Sequence, residues 1–417
     1  LDGQGLHRVL QCISGEGPKT AFENLALRNG LGKDDQDLSV SVAGGAAVRN
    51  SSPVFRHCLV AENQANFGSA LIVTGGSPRF IECRFQSNTV DTYLGSVAIL
   101  TDSTNETYHS SVFTGCHFSE HEGTAFFAQP DTKVFFEDCS FTDNSGNSGG
   151  IFTLQNEIVL KRCRFSRNNA TNRGGGIYAE NTFLTVEDCE FTDNTADQWG
   201  GAVALRSGGF STWDGCTFRG NESGESGGAI SIVDQGLIMH RSWIIDNASA
   251  EFGGGLHSVS ATASLVDCTI RGNTTSLTGG GLYAQGGTPI LDGVNLCGNL
   301  PDQVFGVIEQ PGNCISEECS ECPIDWCPDD PEKTEPGECG CGVPETDSDG
   351  DGIPDCLTPP CPADLDGNGT VDGADLTLLL ATWGCTGDGC IGDLDGSGTA
   401  DGADLTVILS SWGACSN

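Results

Sequence analysis

Two stretches near the end of the chain carry side-chain oxygens at a spacing that suits a hard divalent cation. Asp364, Asp366, Asn368, Thr370, Asp372 and Asp375 stand at positions 1, 3, 5, 7, 9 and 12 of the first, and Asp393, Asp395, Ser397, Thr399, Asp401 and Asp404 repeat the pattern 29 residues later. Gly369 and Gly398 hold position 6. Calcium takes six to eight oxygens at about 2.4 Å from such a loop, with position 7 giving its carbonyl and the glycine permitting the sharp turn. Two Ca2+ sites are expected. Asp347, Asp349, Asp351 and Asp355 offer a weaker third, since its position 12 is Thr358 rather than an acid. A different set of charges flanks three cysteines: Asp138, Arg162 and Asp188 precede them, and Arg164 and Glu190 follow two of them. Carboxylates beside arginine are groups that can hold an acidic substrate and move its protons. On adjacent strands, alternating charges are more often ordinary cross-strand pairs on a solvated face.

The elements that position these groups follow from charge, cysteine use and periodicity. The chain has 417 residues, 59 Gly and a formal charge of −38. Such a polyanion gains nothing from counterion release on nucleic acid. No run approaches the roughly 18 apolar residues of a membrane span. From Cys314 onward there are 23 Asp and Glu against the single base Lys333, so that segment repels itself unless cations bind. Eleven of the 21 Cys lie there among Pro, Gly and Asp, without the His spacing of a zinc finger. Disulfides in an oxidising, extracellular setting are expected. The opening Leu1-Asp2-Gly3 reads as the middle of a structure, with the N-terminus processed or truncated.

The other ten Cys sit in a repeat. Cys139 to Asn144, Cys163 to Asn168, Cys189 to Asn194 and Cys216 to Asn221 each read C-x-F-x-x-N. The last position recurs at Asn29, Asn63, Asn88, His121, Asn144, Asn168, Asn194, Asn221, Asn247, Asn273 and Asn299, giving eleven units. Gly-rich runs such as Gly174-Gly175-Gly176 follow most of them, and then short apolar runs such as Ile177-Tyr178-Ala179. A period of 20 to 50 residues with short strands and no helical pattern predicts a β-solenoid. Cys and Phe two apart share the inner face. Phe85, Phe118, Phe141, Phe165, Phe191 and Phe218 should therefore stack in one internal ladder, each adding about 2 kcal/mol by burial. Eleven rungs about 4.8 Å apart make a rod of about 50 Å.

Cys58, Cys83, Cys116, Cys139, Cys163, Cys189, Cys216 and Cys268 are read as buried free thiols rather than a metal ladder or disulfide chain. In-register Cβ atoms sit too far apart for a relaxed disulfide, and Ser242 and Val294 take the same place. The Asn column reads as bends that tolerate left-handed dihedrals, and the Gly runs as corners with positive φ. Trp199, Trp213 and Trp243 are read as exposed rings able to stack on sugars, the latter two equally as packing. Cys297 and Cys314 are expected to pair and close the last rung.

On these motifs, C-x-F-x-x-N followed by G-G-G-I-Y, residues 1 to 299 resemble the right-handed parallel β-helix repeats of secreted and outer-surface bacterial proteins, including polymorphic outer-membrane protein repeats. Pectate lyases share the architecture. Residues 347 to 358 resemble a thrombospondin type 3 calcium loop. The duplicated loops, each followed by a short apolar helix ending near Trp383-Gly384 or Trp412-Gly413, resemble a type I dockerin. That resemblance implies attachment to a cohesin-like or cell-surface receptor; here, however, loop positions 10 and 11 are Gly373-Ala374 and Gly402-Ala403, where cellulosomal dockerins often carry Ser or Thr.

The expected organisation is a mainly β chain: a β-helix over residues 1–315, a Cys/Pro-rich linker over 316–360, and a small α-helical calcium domain over 361–417. From Pro301 to Pro362 the chain holds 11 of its 16 Pro. Two functions remain open for this monomeric, secreted chain. One is binding or processing of polysaccharide, by a lyase or glycoside hydrolase if it is an enzyme. The other is a non-catalytic adhesin-like rod, favoured by units so regular that only the insertions holding Lys33 to Asp37 and Thr101 to Glu106 break them.

Overall fold

The computed structural model describes residues 1–35, 40–90, 95–100, 109–307, 311–322, 363, 365, 370–385, 392, 394, 397 and 399–414. They fall into two compact units, Leu1–Ile324 and Asp325–Asn417.

The first unit is a right-handed parallel β-helix. Three parallel sheets of 21, 12 and 6 strands run along it, and each strand pairs with its equivalent one rung away. Around one rung, Cys163 leads into Arg164–Ser166 of the 12-stranded sheet, and Asn169–Ala170 of the 6-stranded sheet follows. A glycine corner at Gly174 then opens Ile177–Glu187 of the largest sheet. Eleven strands of the 12-stranded sheet precede the eleven repeat positions, and a twelfth, Cys314–Ser316, lies beyond them.

The inner face is as the spacing requires. Phe85, Phe118, Phe141, Phe165, Phe191 and Phe218 stack with centroids 4.9, 4.5, 4.7, 4.7 and 4.8 Å apart. A second stack, the partly buried Phe22 followed by the buried Phe55, Phe80, Phe113 and Phe136, runs opposite it on the largest sheet. Further along this column Trp213 replaces Phe, between Val186 and Met239. Trp213 is therefore interior, 1% exposed and packed on Phe191 and Phe218, not a surface ring.

Nine cysteines, Cys12 and the eight of the ladder, are buried free thiols. Those of the ladder also do local work. The Cys139, Cys163 and Cys216 thiols donate to the carbonyls two residues back, Glu137, Lys161 and Asp214, at 3.3 Å, closing the bend before each strand. Ser242 makes the same bond to His240 at 2.7 Å, which explains its acceptance in the column. Burial pushes the Cys216 and Cys268 thiols up to about 12, so they are inert at neutral pH.

The asparagine column is a buried amide ladder. Asn221 Oδ1 accepts from both N and Nδ2 of Asn194, while its own Nδ2 donates to the Phe191 carbonyl and to Asn247 Oδ1, all at 2.9 to 3.0 Å. This uses the full bonding capacity of the amide. The left-handed dihedrals belong to the preceding residue instead, as at Asp143, Arg167 and Asp193 with φ of 56°, 53° and 55°. The first unit is shifted accordingly: Asn29 takes the left-handed place and Gly30 the ladder place, its N–H on Asn63 Oδ1. Repeat spacing alone could not distinguish these two adjacent polar positions. Gln303 Oε1 terminates the ladder on Asn299. Where the reading placed a corner, Gly200 has φ 65°, and a Cβ on Gly201 would run into the Gly228 and Glu222 carbonyls.

His121 interrupts this ladder. Its Nδ1 accepts from Asn88 N, but its buried Nε2 makes no hydrogen bond among the described residues. Burial holds the imidazole down at about 4 against an ordinary 6.5. Between those pH values the unfolded chain binds the proton and the folded chain does not, so stability is full above pH 6.5 and falls as pH drops toward 4, by up to about 3 kcal/mol. His121→Asn should raise stability at pH 7 by about 1 kcal/mol and flatten part of the acid side. Melting at pH 7 and pH 5 checks this; the buried His257, also held at about 4, keeps the remaining slope.

The helix ends in two disulfides, Cys297–Cys319 and Cys314–Cys322. The expected Cys297–Cys314 pair is not made. Cys314 stacks in register on Asn295 and Ser316 on Cys297, so the two cysteines lie two residues apart along paired strands. The turn Cys319–Glu321 brings the actual partners over them. At the first insertion Lys33–Asp35 and Val40–Val42 pair antiparallel; residues 101–108 of the second lie outside the described residues.

In the second unit, helices α1 (Gly373–Ala381) and α2 (Gly402–Ser410) pack around Ala363, Val371, Leu379, Ala400 and Ile408. Each helix starts two residues before the position-12 acid of its loop, because Asp372 and Asp401 act as N-caps in capping boxes completed by Asp375 and Asp404. Cys385 is also disulfide-bonded.

Candidate functional site

Of the calcium ligands read from sequence, Thr370, Asp372, Asp375, Ser397, Thr399, Asp401 and Asp404 are described. Asp364, Asp366, Asn368, Asp393 and Asp395, with Asp347, Asp349, Asp351 and Asp355 of the third loop, lie outside the described residues. The two halves match bond for bond. Asp375 accepts from Leu365 N at 2.7 Å and Asp372 N at 2.8 Å; Asp404 accepts from Leu394 N and Asp401 N at 2.7 Å. Each position-12 carboxylate thus ties the second loop residue to the ninth, bending the loop back on its helix. Both carboxylates are fully buried. A buried carboxylate is costly unless hydrogen bonds or nearby positive charge compensate it, and Lys333 is the one base after Cys314. This donor set fits Ca2+, which supplies positive charge and requires oxygen alone. Among the described residues no three His, Cys, Asp or Glu groups converge on a metal position.

On the solenoid, the structure brings Asp138, Arg162, Asp188, Arg164 and Glu190 onto one face. The first three are corner residues with φ of 54°, 49° and 52° rather than strand residues. Arg162 grips Asp138 through Nε–Oδ1 at 2.8 Å and Nη2–Oδ2 at 3.1 Å, and reaches Glu137 at 2.7 Å. This pairing lowers the Asp138 carboxyl below its usual range. Arg164 pairs with Glu190 at 2.9 Å, in strand register. Both guanidinium groups are thus already matched by carboxylates, and exposed pairs of this kind contribute at most about 1 kcal/mol. Trp199 lies half-buried with the Arg173 and Arg206 guanidinium carbons 4.3 and 4.4 Å from its ring.

One feature escaped the sequence reading. The corner column before the cysteines runs His57, Glu82, Gly115, Asp138, Arg162, Asp188, Gly215, Arg241, Asp267 and Gly293, all left-handed. At Gly215 and Gly293 the Asp188 and Asp267 carboxylates of the rung below lie over the glycine. At Gly115 the equivalent Glu82 carboxylate turns the other way, to His57 Nδ1 at 3.0 Å, and only its Cγ approaches. Asp138 on the next rung turns toward Arg162. An open cleft of about 450 Å³ results, walled by His57, Glu82, Leu59, Arg84 and His117. The signal available in the sequence was a glycine in a charged column, visible only once the rungs are aligned one residue before each Cys.

A family model described as a right handed beta helix region matches residues 97–296, so over that stretch the chain is similar to known β-helices. Neither the curated proteins nor the solved structures include a significant match.

Proposed function

We propose that the chain is a secreted, calcium-loaded protein whose β-helix binds polysaccharide and whose C-terminal helix pair attaches it to a cohesin-like or cell-surface receptor. The observation that carries the binding reading is the outer face of the 12-stranded sheet. There Ser140, Arg164 and Glu190 form one outward column and Thr142, Ser166 and Thr192 the next, repeated at the strand spacing of about 4.8 Å. An ordered row of hydroxyl and charged groups suits an extended sugar polymer. The engagement of Arg162 and Arg164 in ion pairs favours holding a glycan over cleaving it at those rungs. Attachment is supported by equivalent exposed apolar groups at the ends of the two helices, Leu380 and Leu409 in their last turns and Trp383 and Trp412, about half exposed, just beyond them.

The test passes the calcium-loaded full chain over immobilised acidic and neutral polysaccharides while following absorbance from unsaturated products. Retention without products is expected. Products would make it a lyase, and silence in both channels would leave the structural rod.

A further inference from the structure

We propose that the cleft at Gly115 is a binding site for the carboxylate of an acidic sugar, with Arg84 and His117 taking the anion and Glu82 a neighbouring hydroxyl. The proposal rests on the polysaccharide reading and assigns that ligand a charge and a place.

The cleft exists because two neighbours are held away from it. His57 draws Glu82 down one rung and Arg162 draws Asp138 up one, so the bare Gly115 between them stays uncovered, unlike Gly215 and Gly293 in the same column. The sheet-side wall is basic. Arg84 stacks in register between Leu59 and His117, neither of them an acid. Arg56, Arg162, Arg164, Arg167, Arg219 and Arg241 each pair with a carboxylate. Arg84 is exposed and makes no ion pair among the described residues, in a chain with 57 acids to 19 Lys and Arg. With acids in such surplus, an arginine left unmatched beside a cleft has its fork free for an incoming carboxylate. His117 is fixed by Nδ1 on Ser140 Oγ at 2.7 Å, which leaves its Nε2 edge for the ligand. Glu82, steadied by His57, accepts from a hydroxyl. A carboxylate and hydroxyls on one small ring are the marks of a uronic acid.

The experiment is calorimetric titration of the calcium-loaded full chain with tetragalacturonate and with its fully methyl-esterified form, which keeps the shape and removes the charge. The acid should bind and the ester should bind about tenfold more weakly or worse, the usual worth of a charge-assisted bond. Arg84→Ala should weaken the acid to a similar extent. Gly115→Asp should do the same by refilling the corner, and it should fold, since Asp138, Asp188 and Asp267 occupy the same column at nearly the same φ. Arg219→Ala, which removes equal charge five rungs away, should change little. Equal binding of ester and acid, or wild-type affinity in Arg84→Ala and Gly115→Asp, would overturn the site. Retention on neutral polysaccharide without tetragalacturonate binding would overturn the site alone; no binding to any glycan would overturn the polysaccharide reading with it.

Discussion

Chelation with EDTA is expected to abolish the melting transition of the C-terminal unit while leaving that of the solenoid in place. The cause is charge. Asp375 and Asp404 are fully buried carboxylates, and the segment from Cys314 onward has 23 acids and one base. Their backbone partners at 2.7 and 2.8 Å orient both carboxylates but add no positive charge. The apolar cluster shared by the two helices, Val371, Leu379, Ala400 and Ile408 with a few neighbours, is small. A domain of this size rarely folds on its core alone. Calcium at a thousand times its dissociation constant would add about 4 kcal/mol per site, comparable to the whole stability expected of the unit. Calorimetry with CaCl2 should count two sites in the full chain. Asp393→Ala should remove one of them and sharply lower the melting temperature of this unit, without the loss of capping bonds that Asp404→Ala would bring. An unchanged melt and unchanged proteolysis resistance in EDTA would sink the calcium claim.

Much of the solenoid could be read from sequence because each rung repeats its chemistry. A Cys and a Phe two apart must share a face in any strand, so the phenylalanine stack followed from spacing alone, as did burial of the thiols. What could not be read was the precise register of irregular units. Asn29 and Gly30 are adjacent and polar or small, and only pairing of Leu27 with Val60 decides which one enters the ladder. Trp213 stayed open between surface ring and packing because the inner column of the largest sheet carries no fixed motif, running through Phe136, Leu160, Val186, Trp213 and Met239. The Cys297–Cys314 expectation failed for the same reason that made the thiol ladder legible. Stacked parallel strands fix which residues meet, and Cys314 meets Asn295. The Gly115 cleft arises from side chains turning away from a gap, which depends on partners one rung below and one above. No linear motif encodes that.

Asn221→Ala is expected to cost the solenoid about 4 kcal/mol, more than any surface substitution on the same rung. The ladder explains the size. Removing the amide leaves Asn194 with a backbone N–H and one side-chain N–H that have lost their acceptor, and leaves the Phe191 carbonyl without this donor. All lie in the buried column, where water cannot replace the bonds. Each buried orphan costs about 1 to 3 kcal/mol. Asn221→Asp should be worse than Ala in spite of its similar shape. One carboxylate oxygen could still accept from Asn194, but the other would face the Phe191 carbonyl and Asn247 Oδ1, placing a buried charge against two acceptors. Asn299→Ala probes the other limit. Its Oδ1 serves Asn273 as an ordinary member, but its outer partner is Gln303, a side chain four residues on rather than a further rung. Loss there can be absorbed by local fraying, since a solenoid's rungs are coupled mainly to their neighbours. Urea denaturation of the full chain, followed on the solenoid transition, should rank Asn221→Asp, Asn221→Ala and Asn299→Ala in that order from most to least damaging. A loss below about 1 kcal/mol for Asn221→Ala, the net worth of one ordinary hydrogen bond, would mean that the amides merely occupy the corner. The fold would then be held by the apolar column alone, and His121 would need no account as a defect in the ladder.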